Sequence, residues 1–394
     1  MKNVIHFARK LLPPTASFIY NQFTNHIRYD PVYIYCEEVA SGFTPLIKDN
    51  YPVIKVVEGE KDYWLYHLLR RLTERNIRKG LSTIENYKPD LYHFHYGVDT
   101  LVFLPFLQRM RVPNIVSFYG YDCTSFPKRF WGYGRELLRS NIFNNDLIDY
   151  ITAMSPDMKN DLVALGCPQE KIITHYHGIN TRPFHKNRKY NDKYNINLLI
   201  VSGLAEKKGH LFLLKAFQKA KSMTSTRINL TIVGSGPMES EIRSHIEENR
   251  IEDVSMQPAV NFGSSQHLDF LSAADIFVHP SITPENGDKE GIPGALVEAM
   301  ASGLPVISTY HAGIPYLIAH QENGWLVNEN DVDALAAAIQ NLSQNTAVRE
   351  KIGINAQQFA TQELDISIKQ QQLEKIYERA AARLIDQSNK VVAR

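Results

Sequence analysis

Two glutamates, Glu290 and Glu298, stand eight residues apart in the stretch Pro280–Pro305, PSITPENGDKEGIPGALVEAMASGLP. An apolar run ends at His279-Pro280, a polar loop follows, and Pro293 then suits the first turn of a helix. A helix starting there contains Glu298 and leaves Glu290 just ahead of it. Both carboxylates can then face the crevice at the carboxyl end of a parallel strand, where open α/β sheets bind ligands. Gly291 and Gly294 let backbone N–H groups come close to an anion, and a helix N-terminus favours phosphate. Glutamates eight apart beside a glycine turn also arise by chance, so spacing alone leaves catalysis and ordinary surface chemistry both open.

Other chemistry-bearing residues are more scattered. In His93-Phe94-His95 the alternation puts both imidazoles on one strand face, and Asp122 follows the next apolar run. For each His a satisfied structural role and a substrate contact are equally weighted. No third ligand stands at a recognisable spacing, so no metal site is expected. Thr15-Ala16-Ser17-Phe18 follows the first apolar run but lacks the glycines of a dinucleotide fingerprint. Cys36, Cys123 and Cys167 are few, odd in number and far apart, which fits a reducing cytoplasm rather than a disulfide framework or zinc knuckle. Tyr63–Lys79, YWLYHLLRRLTERNIRK, sets Trp64, Leu65, Leu68, Leu69 and Leu72 beside Arg70, Arg71, Arg75, Arg78 and Lys79. It reads equally as an interfacial helix on anionic lipid or as a core-facing helix with a solvated basic face. No nucleic-acid motif accompanies it.

These residues must be positioned by elements that alternate in type. Strands are expected at Asn3–Phe7, Val32–Tyr35, Leu91–Phe94, Ile115–Phe118 and Tyr150–Ala153. A second set is expected at Asn197–Ser202, Asn229–Val233, Ile276–His279 and Pro305–Ser308. Helical periodicity lies at Tyr63–Lys79, Lys208–Lys221, Glu239–Asn249 and Gly294–Ala301, with a further helix in Leu364–Lys390. Strand–helix alternation that occurs twice predicts an α/β protein of two Rossmann-like domains. The polar stretch Thr181–Asn195 is the expected boundary. The domains read as 1–188 and 189–370, with 371–394 a C-terminal helix packing back on the first.

With 394 residues, 44% hydrophobic and 22% charged, the chain has room for two cores and no disordered or collagen-like character. Its longest apolar runs, such as Leu101–Leu107, are far short of a membrane span. Arg9, Lys10 and Pro13-Pro14 interrupt any apolar N-terminal core, so no secretory leader is expected. The near-neutral net charge of +1 conceals an asymmetry, since residues 1–190 carry 25 Lys and Arg against 18 Asp and Glu. The second half is correspondingly acidic, so the halves are expected to face different partners.

Around the glutamates, a series of motifs resembles the retaining glycosyltransferases of family 4, which have the two-Rossmann GT-B fold with a cleft between the domains. In order they are VSGLAEKKGH (201–210), LTIVGSGPMESEI (230–242), AADIFVHPS (273–281), EGIPGALVEAMASGLPVIST (290–309), AGIPYLI (312–318) and ENGWLV (322–327). The first half fits more weakly through DLYHFHYG (90–97), SFYGYD (117–122), ITAMSPDMKNDL (151–162) and HGIN (177–180). The GDKEGIP segment is most similar to bacterial exopolysaccharide and colanic-acid-type transferases.

The resemblance implies that Glu290 is the catalytic residue at the donor sugar and that Glu298 binds the ribose. Lys208 would contact the diphosphate, Gly234 and Gly236 would lie beside the nucleotide, and Gly291, Ile292 and Gly294 would offer backbone N–H groups. Ser17, His93, His95, Tyr119 and Asp122 would line the acceptor side. The sequence departs from the family at Gly203, where an Arg is usual, at Tyr119, where a His is usual, and at Tyr316, where a Glu is usual.

The implied activity is metal-independent hexosyl or N-acetylhexosaminyl transfer with retention, from a nucleotide sugar, UDP-sugar favoured over GDP-sugar. No further cofactor is implied. The acceptor would be a glycan or lipid-linked glycan in surface polysaccharide synthesis. The place would be the cytoplasm, peripherally at the inner membrane face, with an anionic surface but no nucleic acid as partner. Two rival readings are a non-catalytic nucleotide-sugar-binding subunit and a nucleotide-sugar epimerase of the same architecture.

Overall fold

The computed structural model describes residues 1–12, 16–39, 43–59, 66 and 72–392, with side chains to residue 386. The chain divides into two compact units, Met1–Gly178 together with Ile366–Arg394, and Ile179–Asp365.

The first unit is built on β1 (Lys2–Phe7), β2 (Tyr29–Tyr35), β3 (Val53–Lys55), β4 (Leu91–His95), β5 (Asn114–Ser117), β6 (Tyr150–Ala153) and β7 (Ile172–Thr174). Among the described residues they form one parallel sheet in the order β3-β2-β1-β4-β5-β6-β7. β4 is buried along its whole length. Such unbroken burial is what a sheet covered on both faces demands, and it explains why these strands read as apolar runs. Ile5, Phe7, Phe94, Phe103, Phe106 and Val116 pack in the main core of this unit. On the other side of the sheet, Leu373, Ile376, Tyr377 and Ala380 of the terminal helix Ile366–Val392 pack against Val4, Leu91 and Ile115. The helix is pinned at Glu374, whose carboxylate accepts from the Ile27 and Arg28 backbone N–H groups at 2.7 and 3.1 Å and from Arg28 Nε at 2.9 Å.

The second unit holds β8 (Asn195–Val201), β9 (Arg227–Val233), β10 (Val254–Gln257), β11 (Ile276–His279), β12 (Val306–Thr309) and β13 (Trp325–Val327), in the order β10-β9-β8-β11-β12-β13. This is the Rossmann order, and it reverses direction between β8 and β11, the place where such sheets bind ligands. The helices His210–Met223, Glu239–Glu248, Ser265–Ala273, Gly294–Ala301, Val332–Gln344 and Thr346–Glu363 complete the unit. Phe212, Leu213, Phe217, Ile232, Val278 and Leu335 share its core.

Several expectations are corrected in detail. Thr181–Asn195, read as a boundary, packs within the second unit. The Arg188 guanidinium donates to the Ala274 and Leu271 carbonyls at 2.6 and 2.7 Å, and Tyr190 Oη donates to the Gly303 carbonyl at 2.5 Å. Of the helix expected at Tyr63–Lys79, residues 63–65 and 67–71 lie outside the described residues, and the described helix begins later, at Glu74–Glu85. Its start is fixed by a capping box between Thr73 and Asn76. Lys208, expected on a helix, lies in the short turn Glu206–Lys208 ahead of it.

Candidate functional site

The second unit brings Lys208 and Glu290 together across the point where its strand order reverses. Lys208 follows β8, and Glu290 lies in the loop after β11. Gly209 lets the chain turn sharply after Lys208 into the helix His210–Met223, since it has φ +70° and a Cβ there would lie 2.0 Å from the Pro280 carbonyl oxygen. Only glycine meets both conditions. Lys208 Nζ is 2.5 Å from Glu290 Oε1, and Lys207 Nζ is 3.0 Å from Asp288. Burial alone would raise the Glu290 carboxyl. The Lys208 and Lys207 ammoniums outweigh that and hold it down at about 2.

The Glu290 backbone is fixed as well. Its N–H donates to His311 Nε2 at 3.1 Å, and His311 Nδ1 faces Glu329 Oε1 at 2.7 Å. The carboxylate accepts from Nδ1–H, which leaves Nε2 as the acceptor, so one tautomer serves both contacts. Glu329 also accepts from the Thr283 backbone N–H at 2.7 Å. His279, at the end of β11, is fully buried beside this group, and neither ring nitrogen has a hydrogen-bond partner among the described residues. Burial, then the Lys208 charge, pushes its pKa down to about 3, so the ring stays neutral.

Glu298 lies in the helix Gly294–Ala301, with its carboxyl folded back over the first turn. A Cβ on Gly294 would sit 3.6 Å from Glu298 Oε1. Burial raises this carboxyl to about 8. The Gly263 N–H donates to His267 Nδ1 at 3.2 Å, which leaves the ring proton on Nε2, 3.4 Å from Glu298 Oε2. The helix has Pro293 as N-cap and no side-chain cap, so its first N–H groups, beside Gly291 and Ile292, are open to an anion. Gly234 and Gly236 serve close packing, since Cβ atoms there would lie 1.9 and 2.5 Å from the Ser202 and Leu204 carbonyl oxygens. A Cβ at Gly203 would meet only the Ser235 oxygen, at 3.9 Å. Sequence reasoning did not single out His279, His311, Glu329 or His267. Each is a lone residue outside any period, although His279 and His311 lie in or beside the quoted motifs.

In the first unit, His93, His95 and Tyr119 join a buried network with His6 of β1. His6 Nδ1 lies 2.8 Å from His95 Nε2, and His6 Nε2 lies 2.8 Å from His26 Nε2. His95 Nδ1 meets Tyr119 Oη at 2.7 Å, and His93 meets Tyr377 Oη and Ser117 Oγ, each at 2.8 Å. One nitrogen from each of His6, His93 and His95 lies within 4.8 Å of the others, the spacing of a three-histidine metal site. Every ring nitrogen of the three already has a hydrogen-bond partner, so a cation would have to displace those bonds. Burial drives the pKa of all three down. Asp122 is fully buried and accepts from the Gly97, Tyr119 and Gly120 backbone N–H groups at 3.0, 3.1 and 3.2 Å, which ties the turn after β5 to the start of the helix Gly97–Arg109. Burial raises its carboxyl to about 6, and the three N–H bonds limit the rise. Ser17 is half-buried and opens the helix Ser17–Thr24 after β1.

The family described as Glycosyltransferase Family 4 matches residues 30–182, and that described as Glycosyl transferases group 1 matches residues 181–359. The amylovoran biosynthesis glycosyltransferase AmsK of Erwinia amylovora is 36% identical over 63% of this chain and 63% of its own length. WcaL of Salmonella typhimurium, named for colanic acid biosynthesis, is 39% identical over 52% of this chain and 51% of its own. The match thus spans less than two thirds of these relatives. The crystal structure of HepE from Anabaena with UDP and glucose covers 96% of this chain and 100% of its own, with a TM-score of 0.75 and 17% identity, a likeness of fold. Together the two family matches run from residue 30 to residue 359, so the first half of the chain matches one glycosyltransferase family and the second half another.

Proposed function

We propose that the protein transfers a hexosyl or N-acetylhexosaminyl group from a UDP-sugar to a glycan or lipid-linked acceptor in surface polysaccharide synthesis, with retention at the anomeric carbon and without a metal ion. The observation that carries this reading is the Lys208–Glu290 pair at the carboxyl ends of β8 and β11, beside the open helix N-terminus and Glu298. AmsK and WcaL, both named for exopolysaccharide synthesis, support the pathway class.

Each group has a physical task. Glu298 accepts the ribose hydroxyls, and Lys208 with the N–H groups of Gly291, Ile292 and Gly294 balances the charge that grows on the departing diphosphate. Glu290, held ionised, accepts sugar hydroxyls and opposes the positive charge of an oxocarbenium-like sugar. Glu290 is held by Lys208, so the paired-carboxylate double displacement of retaining glycosidases is a poor fit. A front-side path, with the leaving phosphate taking the acceptor's proton, asks only for the groups named here. Ser17 at the start of the helix Ser17–Thr24, His95 at the end of β4 and Tyr119 just past β5 are assigned to the acceptor.

The reading is tested by incubating the full chain with UDP-glucose, UDP-galactose and UDP-N-acetylglucosamine and a surrogate lipid-linked acceptor, with the product anomer read by NMR. An α-linked product from an α-donor supports it. An inverted product, or free sugar isomerised without acceptor, contradicts it.

A further inference from the structure

The first unit displays an aromatic and basic turn that no part of the transfer chemistry uses. It runs from Phe126 to Arg135, FPKRFWGYGR. Phe126 is buried and anchors one end. At the other end Gly134 lies so close to the Phe126 carbonyl that a Cβ would sit 2.1 Å from the oxygen. Between them Phe130 is 61% exposed, Tyr133 59% and Trp131 fully exposed. The turn is ordered by its own backbone. Gly132 N donates to the Arg129 carbonyl at 3.1 Å, Tyr133 N to that of Phe130 at 3.1 Å, and Gly134 N to that of Arg129 at 3.2 Å.

The conformation is costly. Phe130 and Trp131 both have φ +55°, a region that bulky side chains avoid. Two strained aromatic residues held out in water gain nothing within the fold, so their return must come from what they contact. Lys128, Arg129 and Arg135 flank them in the chain and are exposed, with Arg129 donating to Tyr121 Oη at 2.6 Å and Arg135 to the Ala164 carbonyl at 2.9 Å, and the exposed Glu136 follows. From Cys123 to Arg135 the chain carries no acidic residue, and Asp122 just before is buried. Protruding aromatic rings with cations beside them in the chain match the headgroup zone of an anionic bilayer, where Trp and Tyr settle at the interface and Lys and Arg meet lipid phosphate. The core of a protein–protein interface, by contrast, is depleted of charge.

No helix among the described residues is long and apolar enough to cross a membrane, so docking would be peripheral. Of the described basic residues at the end of the Tyr63–Lys79 segment, Arg78 and Lys79 are engaged within the fold, Arg78 Nε bonding Glu74 at 3.1 Å and Lys79 pairing with Glu58.

We infer that the turn Lys128–Arg135 is a membrane-docking element that inserts Phe130 and Trp131 into the interface of an anionic lipid surface. The inference deepens the proposal of a lipid-linked acceptor, on which its purpose rests, but its test needs neither donor nor acceptor.

The full chain is floated with vesicles of phosphatidylethanolamine and phosphatidylglycerol, and separately with phosphatidylcholine vesicles. Co-flotation with the anionic vesicles alone, reversed by high salt, is expected. The double variant Phe130→Ala/Trp131→Ala should lose at least about tenfold in recovery. Its melting temperature and its donor turnover on a soluble surrogate acceptor should be unchanged, because both rings lie in solvent. Tryptophan emission of the parent should shift to the blue on anionic vesicles, and that shift should vanish in Trp131→Phe. A parent that does not float, or a double variant that floats as well as the parent, overturns the inference. So does a parent that self-associates through this turn, with the double variant reverting to monomer in sedimentation, because the occupant would then be protein. Loss of transfer with docking intact would count against the proposed function and leave the docking element standing.

Discussion

The roles of single residues in the site follow from charge and burial. Glu290 is ionised although buried, because Lys208 is 2.5 Å away. Glu290→Gln keeps its size and hydrogen-bonding capacity and removes the charge that opposes a cationic transition state. Turnover is expected to fall about a hundredfold or more, a magnitude typical of lost electrostatic stabilisation. UDP affinity should hold or tighten, because Lys208 is released. A KM-against-kcat comparison checks this, and equal losses in both would reduce Glu290 to a binding residue. Glu298 is the reverse case, with burial raising its carboxyl to about 8. If the ribose hydroxyls donate to the carboxylate, binding must expel a proton at neutral pH. Affinity for UDP should therefore rise with pH up to about 8 and then level off, and Glu298→Gln should flatten the profile. Calorimetry in buffers of different ionisation heat reads the released proton directly. Lys208, Glu290 and Glu298 were legible in the sequence because motif and spacing mark them. His279 and His311 were not, because a lone histidine acquires its setting only when distant strand ends meet.

At the scale of elements, short strand-to-helix connections position the chemistry. Gly209→Ala should destabilise the second unit by roughly 1–3 kcal/mol or more, since it combines a positive φ with a contact against backbone that cannot move aside. A thermal melt with and without UDP measures the loss, and an unchanged melting temperature would mean that the turn relaxes freely. Most strands of both sheets were readable to within a residue or two. Val53–Lys55, Ile172–Thr174, Val254–Gln257 and Trp325–Val327 were not, and there is a common reason. All four are short edge strands and only partly buried, so they lack the unbroken apolar run that marks central strands of the same length such as β11 and β12. The histidine network shows the same limit. His6 joins His93 and His95 only because β1 and β4 pair across the sheet, with His6 opposite His93.

For the whole molecule, burial makes acid the sensitive direction. His6, His93, His95, His175 and His177 are buried in the first unit with pKa values pushed below 6.5, His95 and His175 to about 3 and His177 to about 4. Below pH 6.5 the unfolded chain takes up protons that the folded chain refuses, so stability present above that pH is lost progressively as pH falls towards 3. Asp122 and Glu298, raised to about 6 and 8, act in the opposite sense, losing stability as pH rises through 4.5 and above, but the histidines outnumber them. The melting temperature is expected to drop steadily from pH 7 to pH 5, and a flat profile would mean that the network protonates without unfolding. The charge division between the halves is plain in the sequence, and the turn Lys128–Arg135 holds three of the 25 Lys and Arg of residues 1–190.

On the proposed reading Lys208 meets the diphosphate of the nucleotide and Glu298 its ribose, and calorimetry of Lys208→Ala with UDP and with uridine separates the two contacts. A charge-assisted hydrogen bond contributes about 1.5–3 kcal/mol, so UDP should bind about tenfold or more weakly while uridine is unaffected. If UDP affinity is unchanged, or if UDP and uridine weaken alike, Lys208 does not meet the diphosphate and the account of the site fails.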